Sequence, residues 1–203
     1  IVITMRESEY EKMLNIETEG FQFGFPRDVK YHRYEPTPYA ALEQLFETYP
    51  FDKEGRFIDF GSGKGRVPIY VHSRLRMDAI GIEMDPKFFI EAEHNKEQYM
   101  KVSKERKAQV DFYHMIAEDY SISEQDKMFF FFNPFSVHVF RQVVQNIIAS
   151  YEQYERNMYI LLYYPTEEYL YYLSYETPFE EVLEMRLKGK RNLNERIIVY
   201  KLS

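Results

Sequence analysis

Along most of the chain, short apolar runs alternate with longer stretches whose apolar residues recur every three or four positions. The runs fall at 56–60, 79–83, 109–113, 127–133 and 158–164, and their length and their Ile, Val, Phe and Tyr content predict strands. Helices are expected between them. One follows Gly65, with Pro68 tolerated in its first turn. Another starts from Asp85 as cap, with Pro86 at the first helical position. A third starts near Ser136 and carries Val137, Phe140, Val144, Ile147 and Ile148 on one face. Ahead of the first strand, Thr37 is expected to cap a helix that opens on Pro38 and presents Tyr39, Leu42, Leu45 and Phe46 as an apolar stripe. Phe129, Phe130, Phe131 and Phe132 are consecutive and cannot alternate in polarity, so their strand belongs at the sheet centre, buried on both faces. Two further strands, 181–187 and 196–202, are joined by a polar turn at 188–194. Alternation followed by a hairpin predicts an α/β fold: a seven-strand, mostly parallel sheet flanked by helices, with an antiparallel C-terminal hairpin.

With 203 residues there is room for one well-buried domain. Residues 34–203 carry the alternating pattern. Residues 1–33, mixed in charge and broken by Gly20, Gly24 and Pro26, are expected to form a helical or irregular N-terminal appendage. The chain has neither an apolar run of about eighteen residues nor a basic-then-apolar leader, so no membrane span or signal peptide is expected. Cysteine is absent, which excludes disulfides, thiolate metal sites and cysteine nucleophiles and suits a cytoplasmic location. The 33 acidic against 26 basic side chains, a net charge of −7, work against a broad nucleic-acid footprint and favour a protein or small-molecule partner. Most of the 19 Tyr and 17 Phe rings are expected in the core.

The chemistry concentrates in Asp59-Phe60-Gly61-Ser62-Gly63-Lys64-Gly65 and in the next apolar run, which ends on Glu83. Physically this is a buried strand, a turn that lets backbone approach a ligand, a helix, and a second strand bearing an acid placed to bind a ribose. A nucleoside-containing cofactor at the carboxyl ends of parallel strands follows. A phosphate loop is excluded, because glycine follows Lys64 and the required earlier glycine is Ile58. A dinucleotide fingerprint is approximated, but its third glycine would come one residue later than Gly65. Lys64 is expected to point outward. His32, His72, His94, His114 and His138 are scattered without the close spacing of a zinc site, and no Ser-His-Asp arrangement stands out.

Over residues 34–203 the arrangement resembles the class I S-adenosylmethionine-dependent methyltransferases, which have a Rossmann-like sheet. Their first motif, acid-x-Gly-x-Gly-x-Gly, is matched by Asp59, Gly61, Gly63 and Gly65, with Ser62 inside the turn. The resemblance implies that this loop wraps the methionine part of S-adenosyl-L-methionine, that Asp59 organises its amino group and that Glu83 holds both ribose hydroxyls. It also implies an acid near the adenine. Ile116 stands at the usual position, so either Glu118 takes over or backbone around Ala117 does. Asn133-Pro134-Phe135 partly resembles the Asn-Pro-Pro-aromatic motif of enzymes that methylate amide or exocyclic nitrogens, and lacks its second proline. By that likeness Asn133 orients the acceptor and Phe135 packs on it; the alternative is a turn over a buried ring. Tyr34-x-Pro36-Thr37-Pro38, with Gly61-Ser62-Gly63 and Gly81-Ile82-Glu83, is similar to the small lysine methyltransferases of the ATP synthase c-subunit type, and Thr37 would close over the methionine end. The acceptor implied is a protein lysine or another amine. Two competing classes stay open: a non-catalytic adaptor with an aromatic surface at Tyr163-Tyr164 and Tyr169-Leu170-Tyr171-Tyr172, and a nucleic-acid methyltransferase.

Overall fold

A computed structural model describes residues 5–20, 34–105 and 107–203. Its sheet has seven strands in the order β3-β2-β1-β4-β5-β7-β6. They are β1 (Arg56–Phe60), β2 (Asp78–Glu83), β3 (Val110–His114), β4 (Asp126–Phe131), β5 (Met158–Tyr163), β6 (Glu180–Arg186) and β7 (Arg196–Leu202). The first five pair in parallel, and β7 runs antiparallel to both β5 and β6. The predicted architecture is therefore the observed one. Strand order reverses between β1 and β4, and in open α/β sheets such a switch point opens a crevice at the carboxyl ends.

Strand periodicity divides the interior in two. Phe57, Met128, Phe130 and Leu161 join one apolar cluster, while Ile58, Phe60, Phe129, Phe131, Ile160 and Leu162 join the other. The first cluster is covered by α1 (Glu7–Leu14), α2 (Tyr39–Thr48), α3 (Arg66–Leu75) and α4 (Pro86–Val102). The second is covered by α5 (Val137–Gln153) and α6 (Glu167–Glu176). Phe129, Phe130 and Phe131 are buried on both faces of a central strand, as their run predicts. Phe132 lies just past the strand end and is half-buried. Edge strand β6 is mostly exposed and carries Glu180, Glu181 and Glu184, charges that discourage pairing with another chain.

The start of α4 follows its local chemistry. The Asp85 carboxylate accepts from the Lys87 and Phe88 N–H groups, with Pro86 next in line, as expected. Thr37 does not cap α2. The helix opens one residue later, at Tyr39, with Pro38 in the cap position, and the Tyr39 N–H is taken by Glu7 Oε1 at 2.8 Å. Proline has no hydroxyl or carboxylate to offer, so a distant acid does the work. That acid belongs to the stretch read as an appendage. Within it, Tyr10, Leu14 and Ile16 are buried in the first cluster, and the Tyr10 ring stacks on Tyr39 at 4.6 Å. Residues 21–33, with Gly24, Pro26 and His32, lie outside the described residues. Among the described residues no helix is long and apolar enough to cross a membrane, and no group of His, Asp or Glu is arranged to hold a metal ion.

Candidate functional site

The turn after β1 is built on three glycines with left-handed backbone: Gly61 (φ +79°), Gly63 (φ +54°) and Gly65 (φ +89°). Side chains rarely tolerate this region, so the glycines permit a tight turn here. The loop is anchored to the end of β2, since the Gly61 and Ser62 N–H groups both donate to the Ile82 carbonyl (2.9 and 3.0 Å). From there β2 delivers Glu83. Its buried carboxylate accepts from the Gly63 N–H through Oε2 and from the Asp85 N–H through Oε1, each at 2.8 Å. One acid thus bridges the glycine loop and the start of α4. A carboxylate oxygen has two acceptor positions, so each retains one for a ligand.

Asp59 sits beside this pair on β1, paired in register with Gly81 of β2. Burial holds its carboxyl well above the usual carboxylate range, and the nearby Glu83 charge pushes the same way. Glu83 is also raised, first by burial; the Asp85 and Gly63 N–H groups oppose that shift and the Asp85 charge adds to it. Ser62 Oγ is buried without a hydrogen-bond partner, close over Gly81, where a Cβ would come within 2.6 Å of it.

Across the switch point, the loop after β4 meets the glycine loop: a Cβ on Gly61 would stand 2.5 Å from Pro134 Cβ. Asn133 turns this loop with a left-handed backbone (φ +42°), and Tyr164, after the adjacent β5, does the same (φ +51°). Two such non-glycine residues side by side at strand ends are strained, a feature that concentrates at functional sites. Between them stand the rings of Phe132 and Tyr163, 4.6 Å apart and inclined at 62° to one another. Asn192 donates to the Tyr164 hydroxyl at 2.8 Å.

Phe135 takes a different place from the one expected. Its ring is 1% exposed and packs edge-on against Phe131 in the second cluster, while its carbonyl accepts from the Tyr169 hydroxyl. Of the rings at the strand ends, Phe132 and Tyr164 are half-buried and Tyr163 is buried, so Phe132 and Tyr164 supply the aromatic surface there. Thr37 is buried, and its carbonyl accepts from Arg66 Nη1 at 3.0 Å. Ala117 is buried at the start of a single 3-10 turn, Ala117–Asp119. Glu118, half-buried, accepts from Asn146 Nδ2 through its backbone carbonyl, and Ile116 is 41% exposed beside it. Lys64 does not point freely outward: its ammonium donates to the Glu19 carbonyl at 3.2 Å and pairs with Glu91 at 3.1 Å. Of the rings named for an adaptor surface, Tyr163, Tyr169 and Tyr172 are core residues, Tyr164 is half-buried and Tyr171 is exposed.

Sequence reasoning passed over Arg66, whose guanidinium is buried directly after the glycine loop, and Thr18, which bonds to it. The available signal was an arginine leading the apolar run Val67-Pro68-Ile69 of α3.

No protein-family model matches the sequence, and no curated protein matches it. Solved structures do. A Pyrococcus horikoshii protein provisionally described as an RNA methyltransferase superposes over 99% of this chain and 98% of its own, with a TM-score of 0.60 and 17% identity. An RNA methyltransferase from Salinibacter ruber, crystallised with S-adenosyl-L-homocysteine, matches 82% of this chain and 92% of its own (TM-score 0.54, 21% identity). A methyltransferase from Pyrococcus furiosus matches 83% and 86% (TM-score 0.59, 14% identity). The fold is the one these methyltransferases share. In that Rossmann-like fold the glycine loop, Glu83 and the Asn133 loop all face the crevice at the switch point, and Phe135 does not.

Proposed function

We propose that this chain is an S-adenosylmethionine-dependent methyltransferase acting on an amine nitrogen, with a protein lysine or a small amine as acceptor. The observation that carries the reading is the buried Glu83 carboxylate tied to the Gly63 and Asp85 N–H groups at the switch point. The residues suit the cofactor: three left-handed glycines make a tight turn at the strand ends, and Ser62 Oγ within it lacks a partner in the protein. Glu83 would hold the ribose hydroxyls, Asp59 the amino group, Gly61 to Gly65 the methionine chain, and backbone at Ala117 or the Glu118 carboxylate the adenine. When bound, S-adenosylmethionine supplies an electrophilic methyl group on a sulfonium.

What the chain contributes is alignment and the exclusion of water. Asn133 offers an amide oxygen to orient an N–H of the acceptor. Phe132, half-buried, offers a ring face beside the buried Tyr163, whose hydroxyl is pushed upward first by burial and then by the charges of Glu195 and Glu35. Rings and carboxylates at one edge favour a cationic amine as the arriving group. The amine sheds a proton to water before its lone pair is used, so no fixed base is required. A second reading, methylation of RNA, draws support from the Salinibacter ruber relative and from the Asn-Pro-Phe loop, and is weakened by the net charge of −7.

Incubation with methyl-labelled cofactor and a cell extract tests this. Label in protein or in small amines is the expected outcome. Label in RNA selects the second reading. Binding of S-adenosylhomocysteine without transfer selects the adaptor, and no binding at millimolar ligand by folded protein overturns both methyltransferase readings.

A further inference from the structure

Thr18, wholly buried, joins three groups through four hydrogen bonds. Its N–H and hydroxyl donate to the Glu11 carboxylate (2.5 and 2.6 Å), its Oγ1 accepts from Arg66 Nε (2.7 Å), and its carbonyl accepts from the Tyr34 hydroxyl (2.5 Å). Arg66 is fixed from every side: Glu7 and Glu11 neutralise it, the Thr37 carbonyl accepts from it, and it lies 4.3 Å over the Tyr39 ring. The neighbouring residue Glu17 is held in turn by Asn95, which also donates to the Lys64 carbonyl at 2.9 Å. This places the 15–20 segment across the outer side of the glycine loop.

The consequence lies in the Tyr34 ring. It packs against Phe88 at 4.8 Å and fills the space where a Cβ on Gly63 would be. The ring and the loop are in contact with no slack, so the height of one sets the height of the other. Gly63 is the loop residue whose N–H reaches Glu83. An unbroken path therefore runs from Arg66 through Thr18, Tyr34 and Gly63 to the carboxylate read above as the ribose ligand.

We propose that Thr18 and Arg66 are positioning residues of the cofactor site: they set the Tyr34 ring against Gly63, and through it the orientation of Glu83. Neither residue needs to touch the ligand. The proposal rests on the cofactor reading given above. A buried polar network that only stabilised the fold would change the melting temperature and leave the affinity of the folded protein unchanged; a positioning network changes both.

Affinity for S-adenosylhomocysteine is measured by calorimetry on each variant, well below its own melting temperature. Tyr34→Phe removes only the hydroxyl that reaches Thr18. It is expected to weaken binding about 3–10-fold, the loss of one hydrogen bond, with the ring retained. Thr18→Val should weaken binding by a similar factor, and Thr18→Ser, which keeps the Oγ acceptor for Arg66, should restore it to within about twofold. The double variant Tyr34→Phe/Thr18→Val should lose less than the product of the two, because both cut one path. Unchanged affinity in Tyr34→Phe, with wild-type protein binding normally, overturns the proposal even if Thr18→Val does not fold. Absence of binding in the wild type overturns the cofactor reading itself, and this proposal with it.

Discussion

At the scale of single residues, the site turns on how two carboxyls share a dry corner. Glu83 satisfies two backbone N–H groups and keeps acceptor capacity for a diol. Glu83→Gln should fold, yet its amide must present NH2 to one of those N–H groups. Loss of charge-assisted bonds predicts a penalty of about 1.5–3 kcal/mol, roughly 10- to 150-fold in affinity for S-adenosylhomocysteine by calorimetry. Equal affinity in the variant would remove Glu83 from the ribose. Asp59 and Glu83 also fix a sign for pH. Both are raised in the folded protein, so the stability they contribute is complete below the ordinary carboxylate range and is lost as pH rises through their raised values. A cationic amino group requires ionised Asp59, so binding should release a proton and tighten as pH rises through the same range. Titration in two buffers of different ionisation enthalpy measures that release, and a flat profile without proton release would contradict the assignment. Asn133 separates backbone from side chain. Asn133→Gly keeps the left-handed turn and loses the amide, whereas Asn133→Ala also adds about 1–2 kcal/mol of backbone strain. If the amide orients the acceptor, both variants lose turnover, by about 100-fold, with cofactor affinity unchanged. Full turnover in Asn133→Gly would leave only the turn as important.

Among the elements, strands and the long helices were legible because each is punctuated locally. Asp85-Pro86 opens α4, the glycines close β1, and the phenylalanine run marks β4 as central. What escaped notice depends on partners far along the chain. The cap of α2 comes from Glu7 and the burial of Arg66 depends on Glu11 and Thr18, none of which has a local signature. The burial of Phe135 was in fact legible. It joins Phe129 and Phe131 in the second cluster, the side that alternation along β4 gives to odd-numbered positions, so the strand's register carries past Asn133. Helix α1 offers the sharpest test at this scale, since its stretch looked like an appendage and yet Leu14 is fully buried. Leu14→Ala should lower the unfolding free energy by about 2–5 kcal/mol in urea titration, the usual cost of a core cavity. A dispensable appendage would show almost none.

For the molecule as a whole, the three-layer arrangement gathers the functional candidates at one edge of the sheet, and this gathering was visible in the sequence as soon as strand order could be guessed. The acceptor was not, because shape and charge at a loop decide it rather than any fixed spacing. The strand order has one more implication, and it concerns synthesis. β7 is inserted between β5 and β6, so until residues 196–202 emerge β5 is paired on one side only, with β4, and β6 has no partner. During that interval the nascent sheet presents β5, whose residues are all buried in the finished protein, as an open edge. A version ending at residue 195 should accumulate as aggregate, while one lacking only Ser203 should stay soluble, as sedimentation of freshly translated protein would report. β7 acts as the clasp of the sheet: until it arrives, an apolar strand edge stands open to pairing with other chains.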